Sequence, residues 1–220
     1  MNLIEMNKEK FDLYYDFLIE ENKKYNLTAI TDKEEVYIKH FIDSLLMDKV
    51  FDLSKEIKIC DVGSGAGFPG IPLKICYPNI DLTIIEPTKK RTNFLQMLCD
   101  KLDIKVNIIN DRVENVANEL EEEFDIVTAR AVASTNTLLE LLVKICKVNG
   151  NLILYKGDKA FEELKQASNA IKLLGLDLKN VNTFNLDSNY GTRNIVVLNK
   201  KEKTNSKYPR RYAEILKKPL

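Results

Sequence analysis

An α/β fold with a mostly parallel, seven-stranded sheet is predicted from two features of the chain. Short β-branched runs alternate with helical stretches over residues 57–174, and two more strand-like runs follow, separated by a polar turn. Strand, helix, strand at this rhythm covers both faces of a parallel sheet with crossover helices. The last pair, joined by a turn and not by a helix, makes an antiparallel hairpin at one edge.

Taken in order, the first element is an amphipathic helix over residues 8–25, where Phe11, Tyr14, Tyr15, Leu18 and Tyr25 recur at helical spacing among acidic residues. Asn26-Leu27-Thr28 breaks it. Thr31 followed by Glu34 reads as a capping box for a second helix whose core face is Ile38, Phe41, Ile42 and Leu45. Strands are expected at 57–60, 82–85, 106–109, 125–128 and 152–155, with helices at 71–76, 89–102, 135–147 and 159–174. The hairpin strands are 181–186 and 194–198, joined by Asp187-Ser188-Asn189-Tyr190-Gly191. This divides the chain into an N-terminal helical extension (1–50), an α/β unit (51–199) and a basic C-terminal tail (200–220), one structural domain in all.

Of the 220 residues, 33 are Lys or Arg and 33 are Asp or Glu, so the formal charge is zero and an acidic partner must be met by a local patch. Hydrophobic residues make up 45%, the balance of a globular protein and not of a disordered or collagen-like one. The first eight residues lack an apolar signal region, and no later segment is apolar enough to span a bilayer, which predicts a cytoplasmic protein. Cys60, Cys76, Cys99 and Cys146 are dispersed among apolar neighbours, the pattern of reduced core thiols. With His40 the only histidine, no metal is expected.

Four of the eight glycines fall within Asp61-Val62-Gly63-Ser64-Gly65-Ala66-Gly67-Phe68-Pro69-Gly70, between the first strand and a helix. A glycine loop there turns tightly and admits a ligand close to the main chain. Gly65-x-Gly67-x-x-Gly70 matches a dinucleotide fingerprint, while Asp61-x-Gly63-x-Gly65-x-Gly67 matches the loop of S-adenosylmethionine (SAM) enzymes. Charge separates the two, because a carboxylate at Asp61 opposes a pyrophosphate and favours the cationic ammonium and sulfonium of SAM. Pro69 also removes an N–H that a dinucleotide would use. Glu86, ending the second strand about twenty residues on, is placed to accept from ribose hydroxyls. Near the third strand, Val113 offers a surface for adenine, with Glu114 beside it; Asp111 serves that site or caps the next helix.

Several chemistries are disfavoured. Where an exocyclic-amine methyltransferase carries an N-P-P-Y type turn, this chain reads Thr128-Ala129-Arg130-Ala131-Val132-Ala133. Cys60 and Cys146 sit in strand-like and helix-core contexts that do not suit a thiolate nucleophile. No catalytic acid, base or nucleophile stands out. A target nitrogen with a free lone pair, such as guanine N7, would need only positioning for in-line attack. Basic residues at the strand ends, Arg91, Arg130, Lys156 and Arg193, point to a polyanion. Residues 200–220 carry eight Lys or Arg against two Glu, whereas 111–125 carry seven acids against Arg112. That segregation predicts a nucleic-acid backbone held by the tail, through Arg210 and Arg211, and repelled by the acidic flank.

The chain resembles the bacterial ribosomal small-subunit RNA methyltransferase G family, also called glucose-inhibited division protein B, whose members methylate guanine N7 in 16S ribosomal RNA. The resemblance is carried by Asn26-Leu27-Thr28, His40-Phe41-Ile42-Asp43-Ser44-Leu45, the loop from Asp61 to Pro72, Lys90-Arg91, Phe124-Asp125-Ile126-Val127 with Ala129-Arg130-Ala131, Lys156-Gly157, Arg193-Asn194 and Tyr208-Pro209-Arg210. It implies a class I SAM-dependent methyltransferase (Rossmann-like) fold, with Gly63 and Phe68 against SAM, Val113 and Glu114 at its adenosine end and Arg130 lining the pocket. Asp61, Gly65, Gly67 and Glu86 join that set from the loop and charge arguments. The implied partner is 16S ribosomal RNA or the small subunit, with no obligate protein partner, no membrane and a monomer as default. His40 and Asp43 suit pocket shaping and helix packing alike. Two other readings stand beside this one: a methyltransferase of a small metabolite, and a non-catalytic RNA-assembly factor.

Overall fold

Seven strands form one sheet in the computed structural model, which describes residues 3–130, 133–186 and 190–220. They are β1 (Ile57–Val62), β2 (Ile80–Ile85), β3 (Asn107–Ile109), β4 (Phe124–Arg130), β5 (Cys146–Lys156), β6 (Leu176–Asn185) and β7 (Thr192–Lys200), in the order β3-β2-β1-β4-β5-β7-β6. β1 to β5 pair in parallel, with Ile59 between Leu82 and Ile126, and β7 lies antiparallel between β5 and β6. The chain winds outward from β1 to β3, then returns to β4 beside β1. Where the winding reverses, the carboxyl ends of β1 and β4 open a crevice.

The helices are α1 (Leu3–Met6), α2 (Lys8–Tyr25), α3 (Lys33–Val36), α4 (Asp43–Leu45), α5 (Gly70–Cys76), α6 (Lys89–Leu102), α7 (Val113–Val116), α8 (Thr135–Leu142), α9 (Ala160–Gln166), α10 (Ser168–Leu173) and α11 (Tyr212–Lys217). They bury the sheet on both faces. On one, Phe11, Tyr14 and Leu18 of α2 share a core with Phe41, Ile59, Ile71, Phe94 and Leu98. On the other, α8 and the segment after β7 pack against Val127, Leu152 and Val196. Both terminal segments therefore contribute to the core instead of lying outside it: Phe11, Tyr14 and Ile215 are fully buried and Tyr208 nearly so.

The structure departs from the sequence expectations at four points. Asp32, not Thr31, caps α3, its carboxylate accepting from the Glu35 N–H at 3.0 Å. Residues Tyr37–Ile42 form a π-helical stretch in which the Asp43 N–H reaches back to the Ile38 carbonyl. That wider turn shifts the phase of the following side chains, so Ile42 turns out to solvent while Asp43 is fully buried. The helix expected over 135–147 ends at Leu142, because the Ile145 carbonyl accepts from the Glu123 and Phe124 N–H groups and Cys146 pairs with Phe124 as the start of β5. The stretch 159–174 is divided at the buried Ala167 into α9 and α10. Of the hairpin turn, Tyr190 and Gly191 are described; 187–189 lie outside the described residues.

The N-terminal helix is fastened to the glycine loop. Tyr14 donates its hydroxyl to the Ala66 carbonyl at 2.6 Å, and its ring stacks on Phe68 with centroids 5.4 Å apart. Gly67 has φ +103°, and a Cβ there would stand 2.7 Å from the Ile71 Cγ1 and the Tyr14 hydroxyl and 3.1 Å from Leu95 Cδ2. Gly65 has φ +63° but open space around its missing Cβ. Gly67→Ala is thus expected to cost about 3 kcal/mol from overpacking plus backbone strain, and Gly65→Ala only about 1 kcal/mol from strain. Urea unfolding of the two variants checks this; equal losses would mean that the Tyr14 contact does not govern the loop.

Candidate active site

The loop after β1 is held by hydrogen bonds from its own main chain. Gly63 donates to the Ile85 carbonyl at 2.8 Å, extending the β1–β2 pairing by one residue, while Gly67 and Phe68 both donate to the Ser64 carbonyl at 3.0 Å. Two carboxylates strap it from below. Glu86, 1% exposed, accepts from the Gly65 N–H with one oxygen and from the Thr88 N–H with the other, each at 3.0 Å. Asp61, fully buried, accepts from the Gly70 N–H at 2.8 Å through Oδ2. Its Oδ1 has no partner among the described residues, and neither does the buried Ser64 hydroxyl. Burial pushes the Asp61 carboxyl up to about 7, against the opposing pull of the Gly70 N–H and Arg130.

Two cavities meet over this loop and share Gly63 and Arg91 in their walls. The first, about 270 Å³, has an apolar lining from Val62, Ile85, Val113, Leu138 and Leu142, with Glu86, Glu114, Arg112 and Tyr212 also in its wall. Apolar surface beside an acceptor suits a flat heterocycle carrying hydroxyl groups. The second, about 190 Å³, is lined by Thr28, His40, Ser64, Gly65, Phe68 and Arg130 among others. Here the His40 ring stacks on Phe68 with centroids 4.5 Å apart, and its Nε2 lies 2.9 Å from the Thr28 hydroxyl. The Arg130 guanidinium stands 5.0 Å from the Phe68 centroid. Burial, reinforced by Arg130, pushes the His40 imidazole down to about 4, so it is neutral near pH 7.

Arg130 is set by a buried ion cluster. Asp43, fully buried, accepts from Arg130 at 2.7 Å and from Arg193 Nε at 2.6 Å, and Arg130 also donates to the Lys39 carbonyl at 3.2 Å. The cluster thereby ties the π-helical stretch, the end of β4 and the start of β7 together, and His40 and Arg130 from the first two line the second lobe with the glycine loop.

Of the residues singled out in the sequence, Gly63, Glu86, Val113 and Glu114 line the first lobe, and Gly63, Gly65, Phe68 and Arg130 the second. Arg91 lines both. Asp61 and Gly67 line neither: Asp61 sits beneath the loop as an acceptor for Gly70, and Gly67 faces Tyr14, Ile71 and Leu95. The basic residues separate into two groups. Lys156 is buried against Glu163 at 2.8 Å, Arg193 is held by Asp43, and Arg210 grips the fully buried Glu140 with contacts of 2.7 and 2.6 Å. Lys200 and Lys203 pair with Glu122 and Glu121, so the basic tail and the acidic flank meet and are not segregated. Arg211, Lys217 and Lys218 are exposed and enter no ion pair among the described residues.

Sequence reasoning did not find Ser64, the leucines of α8, Glu140 or Tyr212. The apolar period of 135–142 signalled a core helix, but not that one end of it lines a cavity. Cys60, Cys99 and Cys146 are buried, and burial pushes the Cys99 and Cys146 thiols up to about 12, which excludes a thiolate nucleophile there at neutral pH. Among the described residues no His, Cys, Asp or Glu cluster suits a metal ion, and no helix is long and apolar enough to cross a membrane.

Comparison with known proteins matches residues 7–196 to the family model for rRNA small subunit methyltransferase G (GidB). Ribosomal RNA small subunit methyltransferase G of Mycoplasma capricolum is 50% identical over 211 residues, covering 96% of this chain and 90% of the relative. The Bacillus thuringiensis protein of the same name is 46% identical over 215 residues, with the same shares covered. In fold the chain is similar to a SAM dependent methyltransferase from Aquifex aeolicus (TM-score 0.58, 17% identity, 76% of this chain and 93% of that one). It is also similar to M. jannaschii TYW2 in complex with AdoMet (TM-score 0.57, 19% identity, 73% and 76%).

Asp61 makes the site's own stability depend on pH. The folded carboxyl keeps its proton up to about pH 7, whereas the unfolded chain releases it near about pH 4. Its contribution is therefore complete below the lower value and is lost as pH rises through the upper one. Asp61→Asn is expected to gain about 2 kcal/mol relative to wild type between about pH 5 and about pH 8. Thermal unfolding of both proteins at the two pH values tests this; a constant offset would mean that Asp61 is ionised throughout.

Proposed function

The chain belongs to the rRNA small subunit methyltransferase G family, with SAM as its methyl donor, and from that premise we propose that it methylates N7 of a guanine in 16S ribosomal RNA by in-line attack without a general base. The cleft fits the cofactor on its own terms. An apolar slot with Glu86 beside it suits adenosine, and each carboxylate oxygen retains acceptor capacity beyond its one backbone bond. The partnerless Ser64 hydroxyl and the open space over Gly65 suit a polar chain passing into the second lobe. In this reading Val113 and Glu114 hold the adenine end and Glu86 the ribose. Gly63, Gly65 and Phe68 border the methionyl end, whose carboxylate Arg130 would meet. Asp61 and Gly67 act one step back, fixing the loop.

Bound SAM supplies a methyl group on a cationic sulfur. The observation that carries the N7 reading is the chemistry of the second lobe. Its lining includes no carboxylate, and its one imidazole is neutral, poorly basic and engaged through both nitrogens. Such a lobe cannot readily take a proton from an amine or hydroxyl target. Guanine N7 offers an unprotonated lone pair, so the new N–C bond forms as the C–S bond breaks, the electron pair leaves with sulfur and no proton moves. The remaining task is to place the base, for which Phe68, His40 and Arg130 form a rigid wall.

RNA is read as approaching across the rim. Arg91 and the exposed Arg211, Lys217 and Lys218 contact phosphates, while Lys156, Arg193 and Arg210 support the fold from within. We read the chain as one structural domain and as a cytoplasmic monomer; sedimentation at micromolar concentration would reveal any dimer. Nucleoside mass spectrometry of 16S RNA incubated with protein and labelled SAM is expected to yield 7-methylguanosine. Turnover confined to a small metabolite, or RNA binding without turnover, would replace this reading by one of its two alternatives.

The two groups of cations should separate experimentally. Replacing Arg211, Lys217 and Lys218 together by Ala is expected to weaken RNA binding and reduce the slope of log affinity against log salt by about 2. Arg210→Ala should instead destabilise the fold by about 3 kcal/mol, because it removes the guanidinium from the buried Glu140 and leaves that side chain only a backbone N–H. Filter binding at two salt concentrations, with urea unfolding of each variant, distinguishes the outcomes; an unaltered salt slope in the triple variant would remove the tail from the RNA interface.

A further inference from the structure

We infer that the C-terminal helix α11 is part of the cofactor site, with Tyr212 completing the wall of the adenine slot beside the α8 leucines. The inference rests on SAM occupying the first lobe and adds a residue of the C-terminal segment to its wall.

Two elements meet at that lobe. α8 contributes Leu138, Leu141 and Leu142 to the cavity lining and, from the same helix, the buried Glu140 as an anchor. The tail binds that anchor three times, through the Arg210 backbone N–H at 3.0 Å, its Nε at 2.7 Å and its terminal nitrogen at 2.6 Å. Two residues later Tyr212 reaches the cavity, and Ile215, fully buried, seats the helix on the core. The buried salt link thus fixes where the Tyr212 ring stands.

The ring packs partly on the core and partly borders the cavity. Tyr212 is half-buried, and the Arg112 guanidinium lies 5.3 Å from its centroid, with Arg112 itself in the cavity wall one residue before Val113. An aromatic ring, a guanidinium and aliphatic side chains lining one cavity make a wall matched to a flat, electron-rich heterocycle. Adenine is the part of SAM with that shape. α11 also carries Lys217 and follows Arg211, so the element that completes the wall is the one whose exposed cations are proposed to meet RNA.

Titration calorimetry with two probes tests the inference: SAM, and 5′-methylthioadenosine, which keeps the adenosine end and lacks the amino-acid end. Tyr212→Ala is expected to weaken both by about tenfold, the size of a lost base–aromatic contact. Tyr212→Phe, which keeps the ring, should stay within about twofold for both. Melting temperatures of the ligand-free variants report any loss of packing separately, and Tyr212→Leu, with intermediate loss expected, serves if the alanine variant fails to fold. Unchanged affinity for both probes in the alanine or leucine variant overturns the inference and leaves α11 a packing element. Weakening of SAM alone overturns it too, since Tyr212 would then act away from the adenosine end. Wild-type protein binding neither probe would overturn instead the placement of SAM in this cleft.

Discussion

The site depends on one buried carboxylate shared by two guanidinium groups. Asp43 receives Arg130 from β4 and Arg193 from β7 while itself projecting from the turn after the π-helical stretch. Removing Asp43 would leave two guanidinium groups without their shared counter-charge, which is far costlier than the pairs are worth as stabilising contacts. The cluster is therefore better understood as a specification of geometry. It brings three remote segments to one point and sets the Arg130 guanidinium beside Phe68. The N-terminal helices consequently belong to the architecture of the cleft: Tyr14 fastens the glycine loop, His40 covers Phe68, and Asp43 orients Arg130.

From that frame the division of the cleft follows. Glu86 and Asp61 bind loop N–H groups from beneath, so the loop's outer surface remains for a ligand. One lobe is apolar with a carboxylate in its wall, the other polar without one, and the two are joined over Gly63. An elongated donor with a nucleoside at one end and an amino acid at the other matches this polarity. The low basicity of His40 has the same origin as its place in the site, since the burial that packs it on Phe68 also disfavours its charged form.

Charge in this protein does two kinds of work. Lys156, Arg193, Arg210 and Lys200 are buried or half-buried and satisfied by acids, so they act as struts. Arg211, Lys217 and Lys218, on and beside α11, are exposed without an ion pair among the described residues, and Arg91 at the cleft rim pairs with Glu86 at 3.6 Å. A neutral chain can in this way present a local basic edge, because Asp43, Glu140, Glu163 and Glu122 are engaged by the first group.

The parallel sheet with its antiparallel edge, the glycine loop and the position of Gly63, Glu86 and Val113 near the strand ends, where they line one cavity, were legible from the sequence alone, because each depends on local periodicity or on spacing from a strand end. Family membership was legible for the same reason, being carried by short motifs in fixed order. The roles of Asp61, Gly67 and the cations were not. Whether Asp61 faces a ligand or a backbone N–H, whether Arg210 meets RNA or Glu140, and whether Tyr212 reaches the cleft are all decided by contacts between residues distant in the chain. No window of sequence contains both partners of such a contact. Tertiary packing chose among partners that charge and composition had left equivalent, and it chose by burial: a charge that loses water must find its counterpart wherever the fold brings one within reach.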